Sequence, residues 1–185
     1  MADTQDECGT LWKKRFWKNS MNDEKQKRKP SVLIDIIMDI PFFEKLDGRQ
    51  LAVVAKHMNY YEVSKGEILF KEGQAGDSVC FVVSGALDVY KQTSIPNKLV
   101  HIATISKNKS IGEMAVIDEY TRSATVSASR DSAIVSLTKA GFDIILKENP
   151  EVGIAILKRI ASLVSMNLRR TSSRLADYIN VLPVT

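Results

Sequence analysis

Glu113 and Arg122 stand near the two ends of the segment Gly112-Glu113-Met114-Ala115-Val116-Ile117-Asp118-Glu119-Tyr120-Thr121-Arg122-Ser123-Ala124. Their types suit a small anion that also carries a hydroxyl. A guanidinium offers a planar fork to two phosphate oxygens, and a carboxylate accepts from a sugar hydroxyl. Gly112 lets the backbone approach closely, and a helical turn beginning near Glu113 would aim N–H groups at the same charge. Ser123 adds a hydroxyl and an N–H. The competing reading is an ordinary ion pair between Glu113 and Arg122 on a loop, and surface pairs of that kind stabilise little.

The elements around this segment follow from hydrophobic spacing. Residues 1–31 are polar and charged, ending in Lys29-Pro30-Ser31, and are predicted to form a mobile basic arm. From Val32 to Met58 apolar residues recur at helical spacing, as Leu33, Ile37 and Ile40 and then Leu51, Val54, Ala55 and Met58, with breaks at Pro41 and Asp47-Gly48. That predicts two short helices. At Tyr60 β-branched and aromatic runs take over, separated by turns at Lys65-Gly66, Glu72-Gly73, Ala75-Gly76-Asp77 and Ser84-Gly85. Further strands are predicted over Lys98 to Ile105, Ala124 to Ala128 and Ser132 to Leu137. Thr138 is placed to cap a helix containing Phe142 to Leu146, and Asn149-Pro150 opens a longer one. Along it Leu157, Ile160, Val164, Leu168, Leu175 and Tyr178 form an apolar stripe that Thr171 interrupts.

Gly112-Glu113 followed by a small apolar turn and then Arg122-Ser123-Ala124-Thr125 resembles the phosphate-binding cassette of cyclic nucleotide-binding domains. The likeness extends through Gly66-Glu67, Phe70, Glu72-Gly73, Gly76-Asp77 and Ser84-Gly85 to Asn149-Pro150-Glu151, covering residues 32–178. It implies an α+β domain over residues 32–185: N-terminal helices, an eight-stranded antiparallel β-roll of jelly-roll type, and two C-terminal helices. It also implies a ligand, cAMP or cGMP, rather than a cofactor. Gly112, Glu113, Met114, Ala115, Arg122, Ser123 and Ala124 would hold phosphate and ribose. Leu168-Arg169-Arg170-Thr171-Ser172 resembles the lid segment of bacterial catabolite activators, which makes Thr171 and Ser172 candidates for the base. Thr121 stands where many members carry proline, which loosens the loop without removing a contact.

Other functions are harder to place. His57 and His101 are the two histidines and lie far apart in sequence, so the clustered ligands of a jelly-roll metalloenzyme are missing, and no triad or carboxylate dyad is recognisable. Neither a metal site nor an enzyme is expected. A DNA-reading helix-turn-helix would follow the long helix, and none is expected in a chain ending at Thr185. The output is therefore expected to pass to an unidentified protein partner, with the helix stripe as a dimer seam. The net charge of +4 is concentrated in the arm, where eight basic residues lie between Leu11 and Ser31. Trp12, Phe16 and Trp17 among them suit an acidic protein groove or an anionic membrane surface, although a solvated disordered arm is the favoured reading. Cys80 reads as a buried, inert thiol and Cys8 as unrelated to it, which together with the lack of a signal-like or membrane-spanning stretch predicts a cytoplasmic protein. The rival function is a degenerate domain that binds no nucleotide and serves for docking or dimerisation.

Overall fold

Proline loses no hydrogen bond in the first turn of a helix, and Pro30 takes that place in α1 (Pro30–Met38) of the computed structural model, which describes residues 28–181 apart from 96, 97 and 119. Most of the basic arm, with Cys8 and its aromatic residues, lies outside the described residues. α1 buries Leu33 and Ile37. A 3-10 turn at Pro41–Phe43 then leads to α2 (Gly48–Ala55). Asp47 caps α2 by accepting from the N–H groups of Arg49 and Gln50, while the Gln50 side chain accepts from Asp47 N.

Six strands form one antiparallel sheet: β1 (Met58–Val63), β2 (Ile68–Phe70), β3 (Ser78–Gln92), β4 (Leu99–Ser106), β5 (Ser110–Ile111) and β6 (Thr125–Thr138). The path runs β1-β6-β3-β4, with β2 paired to β6 and β5 to β3. The count among the described residues is six, not the expected eight, because two expected breaks are kinks inside long strands. Gly85, at φ +84°, lies within β3; a Cβ there would strike Ser132 Oγ and the Asp131 carbonyl. The ladder shifts register on either side of it and continues. β6 likewise passes through Arg130 and Asp131, joining the two segments read separately from sequence.

The alternation of β3 and β6 serves two cores. Val79 and Phe81 of β3 and Val135 and Leu137 of β6 pack with α1, α2 and the C-terminal helices, where Phe81 meets Phe42 and Phe43 at ring distances of 4.8 and 5.0 Å. Cys80, Val82, Leu87, Val126 and Ile134 fill the roll with Tyr61, Leu69 and Phe70. Thr138 caps α3 (Lys139–Glu148) by accepting from Gly141 N, as its position predicts. α4 (Pro150–Val181) follows at once, sinking Val152, Ile156 and Ile160 into the first core. Ile160 therefore belongs to the buried face. Leu157, Ala161, Val164, Leu168, Thr171, Leu175 and Tyr178 form an exposed stripe beside that face.

Candidate functional site

β5 pairs with Cys80 and Phe81 of β3 and hands the chain to Gly112 at the mouth of the roll. There Gly112 takes φ +78°, a conformation other residues rarely adopt, and starts a 3-10 turn at Glu113–Val116. A Cβ on Gly112 would collide with Arg122 Nη1, so the glycine and the guanidinium are in direct contact. Ala115 and Val116 point inward while Met114 is exposed. The far end of the segment is held like a strand: Arg122 N donates to Gln74 O at 2.7 Å, and Gly73 N donates to Arg122 O at 2.9 Å. Beyond it Lys91 Nζ donates to Ser123 O at 2.6 Å and to Glu72, which also accepts from Gln92 N at 2.9 Å. The Gln92 N–H, and then the Lys91 ammonium, hold the Glu72 carboxyl below its ordinary range.

Arg122 is 5% exposed and well furnished with acceptors. Nη1 donates to Ser78 O at 2.8 Å and Gly112 O at 3.3 Å, Nη2 donates to Ser78 Oγ at 3.1 Å, and the guanidinium lies 4.1 Å from the centre of the Phe70 ring. Its Nε is buried without a hydrogen-bond partner. The carboxylate beside it is the exposed Asp77, 3.8 Å from Nη2, so the sequence alternative of a Glu113–Arg122 pair does not occur. Glu113 is 8% exposed and instead accepts at Oε1 from Asn167 Nδ2 of α4, at 3.1 Å. Burial pushes its carboxyl up from the ordinary range, against the pull of its own N–H and the Asn167 amide.

Gly112, Glu113, Ala115 and Arg122 thus come together, with Ala124 buried next to them and Ser123 exposed at the rim. Thr171 and Ser172 do not join them: both are exposed on α4, and Thr171 Oγ1 donates to Asn167 O at 2.9 Å. Asn167, Ser78 and Phe70 are site residues that the motif does not identify as contacts. For Asn167 the available signal was an amide one helical turn before Thr171, which the apolar stripe obscured. The two histidines are separate: His57 backs onto Gly141, and His101 Nε2 sits 3.2 Å from Asp88. Among the described residues no cluster of three or more His, Cys, Asp or Glu could hold a metal ion, and no helix is long and apolar enough to cross a membrane.

Known proteins give this arrangement a class. The family model for the cyclic nucleotide-binding domain matches residues 61–149, and over that stretch the chain is similar to that family. A cyclic nucleotide-gated potassium channel of Rhizobium etli is 29% identical over 123 residues, which are 66% of this chain and 33% of the channel. The cAMP-dependent protein kinase regulatory subunit of Mycosarcoma maydis is 28% identical over 121 residues, 65% of this chain and 23% of that protein. The chain thus spans a third or less of the length of these relatives. Among solved structures, a cyclic nucleotide-binding domain from Methylobacillus flagellatus KT superposes with a TM-score of 0.69 at 26% identity, covering 80% of this chain and 83% of that one.

Proposed function

We propose that the chain is a sensor that binds a cyclic nucleotide, cAMP in preference to cGMP, and signals to a protein partner through movement of α4. The observation that carries this reading is the convergence of Gly112, Glu113 and Arg122 at one mouth of the roll, with the buried Arg122 Nε unpartnered. In this reading Arg122 and the Gly112 turn take the phosphate, with Met114, Ala115, Ser123 and Ala124 around it, and Glu113 accepts from the ribose hydroxyl. Thr171 and Ser172 would meet the base when α4 closes. The Thr171 hydroxyl spends its proton on Asn167 O and keeps its lone pairs, which suits the donating amine of adenine better than the carbonyl of guanine. One hydrogen bond gives a selectivity of roughly threefold to tenfold. Competition calorimetry with Thr171→Val and Ser172→Ala together tests it: the preference should vanish, and its survival would refute the lid assignment.

The exposed stripe of α4 also supports a homodimer. Leu157, Ala161, Val164, Leu168, Thr171, Leu175 and Tyr178 alternate spacings of four and three, the pattern of a two-stranded coiled coil. A second reading, that of a docking module without nucleotide, is favoured by the same Arg122, because Ser78 and Gly112 already occupy its Nη donors. A thermal-shift panel separates the two. A nucleotide at about 100 times its dissociation constant stabilises the fold by roughly 2.7 kcal/mol, and Arg122→Lys should abolish most of that gain. No shift with any cyclic nucleotide favours the docking module.

A further inference from the structure

Beyond Ile160, among the described residues, α4 is tied to the roll by one hydrogen bond, Asn167 Nδ2 to Glu113 Oε1. The acceptor in that bond is the group to which the proposed function assigns the sugar hydroxyl, and the following inference rests on that assignment. We infer that Asn167 is a built-in substitute for the ligand's 2'-hydroxyl and thereby sets how well the site tells ribose from deoxyribose. An amide nitrogen and a sugar hydroxyl are both neutral donors, and either can satisfy a buried carboxylate. Glu113 is already supplied from within, by its own N–H and by Asn167. A hydroxyl arriving at Oε1 exchanges one hydrogen bond for another, so its net contribution is small. A ligand lacking the hydroxyl leaves the Asn167 bond in place.

The exchange has a mechanical side. Thr171 is held to the Asn167 carbonyl and stands one turn further along an exposed helix. When a ribose displaces the Asn167 amide, the distal half of α4 loses its tie to the cassette. A deoxyribose does not release it. Asn167 is thus a specificity-determining residue whose release also reports which sugar has bound.

Calorimetry of the full chain with cAMP and with 2'-deoxy-cAMP, in the wild type and in Asn167→Ala, tests this. Removing the amide should raise affinity for cAMP roughly tenfold, because the hydroxyl then makes an unopposed bond to a charged acceptor, and should leave 2'-deoxy-cAMP within about twofold. Asn167→Asp, which sets a carboxylate against Glu113, should act in the same direction. The residue changed in both variants is on an exposed helix face, so folding is not at stake. Equal gains for the two ligands, or weaker cAMP binding in Asn167→Ala, would overturn the inference. Amide hydrogen exchange over residues 163–178 without nucleotide is the second arm. Asn167→Ala should exchange faster than wild type there, and unchanged exchange would refute the tie itself. Failure of the wild type to bind either nucleotide while the exchange difference holds would overturn the assignment of Glu113 to a ribose, leaving the helix contact intact.

Discussion

Between Pro150 and Ile160, α4 sets Val152, Ile156 and Ile160 into the core that contains Phe42, Phe43 and Phe81; between Leu163 and Ile179 the same helix exposes Val164, Met166, Leu168, Leu175, Tyr178 and Ile179. Leu168 is 66% exposed and Tyr178 73%, values far from those of Val152, Ile156 and Ile160. Helix propagation needs only one hydrogen bond per residue once a turn exists, so the packed half holds the unpacked half in register. What differs is the use to which each half can be put. The proximal turns stabilise the domain and cannot move without opening its core. The distal turns, which among the described residues add to the partly buried Leu163 a single hydrogen bond from Asn167, can change partners at little cost.

The largest effect that would break this division is on stability. Ile156→Ala should lower unfolding free energy by about 2 to 5 kcal/mol in denaturant titration, whereas Leu168→Ala should change it by less than about 0.5 kcal/mol. Equal effects would show that the distal half is packed after all. Cys80 gives an independent clock in a Cys8→Ser background. It is fully buried, and burial pushes its thiol up to about 11, so alkylation at pH 8 must wait for the roll to open. Labelling should accelerate in Ile156→Ala by on the order of thirtyfold or more and stay unchanged in Leu168→Ala.

A smaller effect sharpens the account of the distal half. Leu168→Asp with Leu175→Asp should abolish any self-association seen by analytical ultracentrifugation while leaving the monomer's melting curve within a few degrees of the parent. Loss of the folded monomer would mean the stripe is not an independent surface. The smallest effect concerns the point of contact. Burial raises the Glu113 carboxyl, so the folded chain holds that proton more firmly than the unfolded chain does. Its contribution is therefore favourable below the ordinary carboxylate range and is lost as pH rises through the elevated value. Glu113→Gln should melt slightly higher than the parent at neutral pH, and the gap should close on acidification. A gap that widened with acid would contradict the burial argument.

The convergence of Gly112, Glu113 and Arg122 was legible because the three lie within one short segment, where type and spacing suffice to mark them. Thr138 and Asn149-Pro150 were legible for the same reason, since caps and helix starts act within a few residues. Asn167 was not, because its partner lies 54 residues away and only the path of α4 brings the two together. The strand number was misjudged at Ser84-Gly85, where a glycine that relieves a clash with Ser132 looks in sequence like one that ends a strand. The stripe on α4 was read with Ile160 in it because periodicity gives a helix its faces without saying which of them a neighbour covers.

The two-sided burial of β3 has a consequence for how this gene can change. Val79 and Phe81 belong to one core, Cys80 and Val82 to the other, and the sheet alternates faces at every residue. Deleting one residue just before Val79 would turn Phe81 into the roll and Cys80 toward Phe42 and Phe43, inverting both cores together. The stretch from Ser78 to Val82 can accept substitutions of similar volume, but insertions and deletions there should be lethal to the fold, and lineages of this domain should differ in length elsewhere.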